Sequence, residues 1–288
     1  MRVKPATVDV PAICVDLQNL QRQRAAYLKS RIMVGNRLRA IVAGTIGYHS
    51  GMKPKERAKV QKAADELIKR IRSGEEHELS SLVNTHYIAV DAFDQMAKGF
   101  EKAMLILARQ LPVAEWVGRP EQRGFGLPLL AVIIGETGDL SNYANPAKLW
   151  RRLGCAPFTK DGKTMMGSTW RYGKEGKLNA ADWTEFGYSP RRRSVAYLIG
   201  GCLLKAKQNW TVGVDDVTVE TEARVVGPYR LRYEESKATI AEKHPDYIKN
   251  RCHFHGMLLM TKLLLKNLLL EWQGHPPMTD EQKKRAGL

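Results

Sequence analysis

The segment GSTWRYGKEGK, residues 167–177, places Ser168 three residues before Arg171, with Lys174 and Lys177 close behind. A serine hydroxyl attacks a phosphodiester when arginines gather at the phosphorus and offset the charge that develops there. That chemistry is strand transfer on nucleic acid, with Ser168 as the nucleophile and Arg171 beside it. The other reading is a loop serine among solvating charges, and the segment by itself leaves both open.

A second cluster points to the same kind of ligand. In SPRRRS, residues 189–194, Ser189 suits a helix cap and Pro190 the first helical position. Arg191, Arg192 and Arg193 then occupy the end of a helix whose dipole favours acids. A phosphate there removes the conflict, because helix amides and guanidiniums act on one anion. Gly124-Phe-Gly126 is a third candidate. It resembles the turn of a helix-hairpin-helix, where glycine amides approach a phosphate with no Cβ in the way; an ordinary helix connection is the alternative.

Metal chemistry is not expected from this chain. Cys252, His253 and His255, with His244 upstream, match no common zinc spacing. The carboxylate pairs Asp215–Asp216, Glu234–Glu235 and Asp91–Asp94 do not sit at strand ends of a recognisable α/β sheet. A two-metal nuclease site needs that kind of placement.

Overall charge sharpens the choice of partner. The chain carries 46 Lys and Arg against 30 Asp and Glu, a net +16 with a pI near 9.7. Such a balance fits a polyanion or an anionic membrane. The longest apolar run, Leu127–Ile134, is far shorter than the roughly 20 residues of a spanning helix. The opening MRVKPATVDV lacks a secretory pattern, and Cys14, Cys155, Cys202 and Cys252 form no Cys-x-x-Cys pair. The expectation is a cytoplasmic, nucleoid-associated protein that binds DNA and no membrane.

The positive charge is also concentrated. Residues 148–205 hold 12 basic and 4 acidic residues, Arg151 and Arg152 among them. Between Leu17 and Val42 stand Arg22, Arg24, Lys29, Arg31, Arg37 and Arg39 with no acid. Solvated faces usually mix signs, so both clusters become candidates for phosphate contact.

Helices must carry these side chains. Leu17, Leu20, Leu28, Ile32, Leu38, Ile41 and Val42 recur near helical spacing, which predicts one helix over 14–47. A second follows from Pro54 to Arg72, and a third runs to Leu111, where Pro112 ends it. Residues 1–112 therefore read as a helical hairpin or antiparallel coiled-coil arm, for dimerisation or for lying along nucleic acid; a plain bundle half is the alternative.

Residues 113–273 read as a compact helical domain, followed by a flexible tail over 274–288. Its first helix, LPLLAVIIGETGDL, ends near Gly138. Asn145 caps the next, Pro146 starts it and Gly154 stops it. Residues 157–188 read as a long loop with a hairpin, and a helix runs from Pro190 to about Lys207. Residues 209–227 are β-prone, PYRLRYEESKATIAEKH is helical, and an apolar helix covers 255–272. The fold class is mainly α.

Three segments together resemble one family, the insertion-sequence transposases that include the pilin-gene-inverting recombinase. LQRQRAAYLKSRIMVGNRLRAIV resembles the arginine-rich start of that family's coiled coil. RGFGLPLLAVIIGETGDLSNYANPAKLWRRLGCAP resembles the opening of its C-terminal transposase domain. YSPRRRSVAYLIG sits where the family has an arginine-rich helix start, and PYRLRY and the leucine-rich last helix follow in order. The likeness covers about residues 15–272.

The resemblance implies DNA transposition or inversion by serine attack, a homodimer through the coiled coil, and a guide RNA as a further ligand. It differs in two places. Family members begin with an RNase H-like domain bearing four acidic residues, which no segment here matches, so Mg2+ would enter only through a separate partner supplying that domain. The family's nucleophile lies in a Ser-Gly pair after the GLAP element; here CAPFTKDGK puts Asp161 before Gly162, and Ser168 is the nearest serine. A non-catalytic, domesticated nucleic-acid-binding or regulatory protein is the alternative.

Overall fold

Proline at the first or second helical position opens six of the described α-helices, at Pro11, Pro54, Pro128, Pro146, Pro190 and Pro228. The computed structural model describes residues 8–160, 162–166, 180–206, 209–214 and 221–274. Ser168, Arg171, Lys174 and Lys177 lie outside the described residues, as does the tail beyond Gly274.

The fold is mainly α. In chain order the helices are α1 (Val10–Thr45), α2 (Pro54–Arg72), α3 (Ser80–Ala108), α4 (Ala114–Val117), α5 (Leu127–Thr137) and α6 (Pro146–Arg152). After the hairpin β1 (Pro157–Lys160) and β2 (Lys163–Met166) come α7 (Ala180–Glu185) and α8 (Pro190–Lys205). The hairpin β3 (Asn209–Val214) and β4 (Thr221–Val226) then precedes α9 (Pro228–Lys243) and α10 (Lys249–Trp272). Both hairpins are antiparallel, with Pro157 opposite Met166 and Asn209 opposite Val226.

Two compact units emerge, Asn19–Met104 and Met1–Gln18 with Leu105–Leu288. In the first, α1 and α3 run antiparallel. Tyr27 meets Phe93 and Phe100, at ring-centroid distances of 6.2 and 5.5 Å. Arg24 bonds Glu101 at 2.6 Å and Arg31 bonds Asp94 at 2.6 Å. The helix α2 closes the far end, where Leu38, Val42 and Ala43 of α1 and Val83 of α3 pack with Ala64, Leu67, Ile68 and Ile71. The three helices expected over this stretch are present as α1, α2 and α3.

The second unit is built on α10, whose buried residues run from Cys252 to Trp272. Two glycines allow helices to cross it closely. A Cβ on Gly256 would lie 2.8 Å from the Tyr233 carbonyl oxygen of α9, and one on Gly200 of α8 would lie 2.6 Å from Met257 Cγ. The indoles fix the rest: Trp150 Nε1 donates to the Lys262 carbonyl at 3.0 Å, and Trp272 Nε1 donates to Asp139 Oδ1 and Ser141 Oγ at 3.1 Å each. Tyr229 is fully buried; its hydroxyl donates to Gln122 at 2.8 Å and accepts from Asn267 at 3.2 Å.

The helix α10 starts at Lys249, six residues before the expected start, because its first turns already pack. Cys252 is buried and His253 Nδ1 bonds the Tyr233 hydroxyl at 2.7 Å. The stretch expected as a loop with a hairpin over 157–188 contains that hairpin, β1–β2, and also α7, whose six residues are too few to show a period.

Candidate phosphate-binding site

The site forms where α5 and α6 end and α8 begins. Asn145 caps α6 by accepting from the Lys148 amide at 3.1 Å, and the last turn of α6 carries Arg151 and Arg152. Cations at a helix C-terminus agree with the helix dipole. Gly154 then turns the chain at φ 66°, a left-handed conformation that a side chain disfavours. A Cβ there would also meet Arg193 Cβ at 3.0 Å and Tyr188 Cε2 at 3.2 Å, so the turn lies directly on α8. Ser189 caps α8 at the Arg192 amide, 3.5 Å away.

Glu136 resolves much of the charge at that end. It sits in the last turn of α5 with its side chain at 0% exposure. Its Oε2 accepts from Arg191 Nη2 at 2.8 Å and stands 3.7 Å from Arg192 Nε. An acid at the C-terminal end of one helix and arginines at the N-terminal end of another each oppose their own dipole. Paired with each other, both are neutralised. A buried carboxylate needs such partners, since an unpaired one costs several kcal/mol.

One carboxylate does not balance the cations around it. Arg152 lies close enough to Arg192 to disfavour its charge, while the Tyr143 hydroxyl donates to the Thr137 carbonyl at 2.9 Å. Burial first, and then the neighbouring Arg152, push Arg192 below the usual guanidinium range, against the pull of Glu136; it remains protonated. Burial raises the Tyr143 hydroxyl, with Arg152 and Arg192 opposing. The Nε atoms of Arg152 and Arg192 are buried with no hydrogen-bond acceptor among the described residues. Buried donors normally have acceptors, and an anion between the two guanidiniums would supply them.

Beside this pair opens a pocket of about 430 Å³, lined by Tyr143, Lys148, Arg151, Arg152, Glu185 and Phe186 among others. Arg151 Nε donates to the Phe186 carbonyl at 3.2 Å, which ties α6 to the end of α7.

The candidate residues thus divide. Arg151, Arg152, Arg191 and Arg192 come together around Glu136 and the pocket. Arg193 turns away: Nη1 donates to the Gly154 carbonyl at 2.6 Å, and Nη2 to the Tyr197 hydroxyl at 2.8 Å. Gly124, at φ 96°, packs against the end of α8, where a Cβ would stand 2.8 Å from Ala206 Cβ and 2.9 Å from the Cys202 carbonyl. Gly126 precedes α5 as its N-cap. In the other unit Arg31 pairs with Asp94, Arg39 with Asp65, and Arg37 is exposed. The acid-free stretch of α1 is thus countered by acids on α2 and α3.

Glu136, Tyr143, Lys148 and Phe186 were not among the expected residues. Glu136 had one sequence signal, a carboxylate inside an apolar helix, and the arginines it meets lie 55 residues away. Among the described residues no group of three or more His, Cys, Asp or Glu is placed to hold a metal ion. No described helix is long and apolar enough to cross a membrane. Comparison with protein-family models, curated proteins and solved structures found no match.

Proposed function

We propose that the chain is a nucleic-acid-binding protein of the insertion-sequence transposase type, in which the α6–α8 site holds a backbone phosphate. The observation that carries this reading is the clustering of cations there: Arg191 and Arg192 meet the buried Glu136, Arg152 lies close to Arg192, and Lys148, Arg151 and Arg152 line the adjoining pocket. Two arginines on Glu136, and three further cations at a pocket whose lining holds one acid, Glu185, leave positive charge for an external anion. The net +16 supports the same partner by raising its local concentration. DNA is the first ligand, with guide RNA as the second that the resemblance brings.

The catalytic part of the proposal is serine attack by Ser168 on a phosphodiester, assisted by Arg171, with a separate RNase H-like partner supplying the acidic residues and their Mg2+. Binding is tested by titrating labelled DNA at rising salt. With roughly 6 to 10 phosphate contacts, affinity falls about 10³- to 10⁵-fold between 50 and 200 mM salt. Binding that ignores salt refutes the reading. Catalysis is tested by denaturing electrophoresis for a serine-linked DNA adduct in the presence of guide RNA and partner. Salt-dependent binding with no adduct selects the non-catalytic alternative.

A further inference from the structure

The pocket between α6 and the end of α7 has a mixed lining, and this inference rests on the nucleic-acid reading above while narrowing its ligand. Lys148, Arg151 and Arg152 give it positive charge; Glu185 and Phe186 line it as well. A pocket shaped for a bare anion gains nothing from Glu185, which repels it. Phe186 is half-buried and stacks on Phe158 at 4.6 Å with 12° between ring planes. Phe158 is itself braced edge-on by Trp183 at 6.2 Å and at a tilt by Tyr188, also at 6.2 Å. Phe186 is therefore held in place at a pocket that the cations also line.

A fixed aromatic residue and arginines lining one pocket suit a single strand, whose backbone follows the charge while its bases stack on aromatic faces. A carboxylate accepts from the exocyclic amine of an unpaired base. In a duplex both base faces are covered and the pairing edge is used, so Phe186 and Glu185 have nothing to read. The volume, about 430 Å³, lies within the roughly 300–1,000 Å³ of small-ligand pockets. We propose that this pocket takes one unpaired nucleotide of a single-stranded segment. Its phosphate rests on Lys148, Arg151 and Arg152, its base lies against Phe186, and its amino edge faces Glu185.

The test is fluorescence anisotropy on the full chain with labelled strands of equal length: oligo(dC), oligo(dT), oligo(rC), an abasic strand of the same charge, and a duplex. Oligo(dC) is expected to bind about 5- to 100-fold tighter than the abasic strand and several-fold tighter than oligo(dT). Oligo(rC) in parallel identifies whether the strand is RNA or DNA. Glu185→Gln should erase the preference for cytosine. Phe186→Leu should lose the base-dependent part and Phe186→Tyr should keep it; if Phe186→Leu misfolds, the abasic comparison on the unaltered protein decides. Abasic and base-bearing strands of equal affinity, or a duplex that binds better than oligo(dC), overturn the proposal. If that happens while binding still depends on salt and on Arg151 and Arg152, the broader nucleic-acid reading stands and only the unpaired nucleotide falls. Salt-independent binding to every strand removes both.

Discussion

Replacing Glu136 by Gln separates two roles that the α5–α8 contact combines. The substitution keeps the shape and one acceptor but removes the charge that meets Arg191 at 2.8 Å and Arg192 at 3.7 Å. Breaking a fully buried pair costs about 3–5 kcal/mol. Arg191 is 52% exposed and can turn to water, so its share is discounted for solvent screening; Arg192, at 22%, cannot do so as easily. The net loss comes to about 2 kcal/mol. For a unit of this size that lowers Tm by roughly 4–8 °C, at about 2–4 °C per kcal/mol. Nucleic-acid binding moves the other way. Loss of the negative charge leaves Arg191 and Arg192 to an external phosphate, so affinity at low salt rises roughly three- to tenfold. Differential scanning calorimetry and anisotropy titration, run well below the lowered Tm, measure both. Glu136→Gln protein that binds more weakly while fully folded refutes the reasoning, because Glu136 would then be aiming the arginines rather than competing for them.

Three further outcomes follow from the geometry. Arg151→Ala should leave urea stability within about 0.5 kcal/mol and reduce the salt slope of DNA binding by about one. Arg193→Lys should instead cost about 1–2 kcal/mol of stability, by losing the fork to the Gly154 carbonyl and Tyr197, and weaken binding through lost ordering with the salt slope unchanged. Gly256→Ala gains at most about 1 kcal/mol of helix propensity but forces a Cβ to 2.8 Å from the Tyr233 carbonyl, so chemical denaturation should show a net loss of about 1–3 kcal/mol. Burial raises the Cys14 thiol from 9.0 to about 12 and Cys155 from 9.0 to about 11. A raised pKa in the fold means a contribution that is complete below pH 9 and is lost as pH rises through the folded values. Stability should therefore decline between about pH 9 and 12, and Cys14→Ala with Cys155→Ala should flatten that decline.

Local signals in this chain were legible because their physics is local. Asn145 before Pro146 and Ser189 before Pro190 are caps in the structure, and Gly138 ends α5 where expected. The mainly α fold follows from the same spacing and punctuation. What could not be read is the pairing of distant residues. SPRRRS looked like one anion site of three equal arginines; in the fold Arg191 and Arg192 serve Glu136 while Arg193 serves Gly154, 39 residues away. Likewise the cations of α1 looked unopposed until α3 brought Glu101 and Asp94 beside Arg24 and Arg31. Phe186 carried no signal at all, because its meaning comes from a hairpin that stacks Phe158 on it.

The contact between Arg193 and Gly154 carries a kinetic consequence. One guanidinium spans the end of α6 and the first turn of α8, so the cations on both helices keep their spacing whether or not an anion is present. On the proposed reading, a phosphate entering the adjoining pocket would meet groups already in place and lose little ordering entropy on capture. Association is then governed by diffusion and long-range steering, and ionic strength should act first on the rate of arrival.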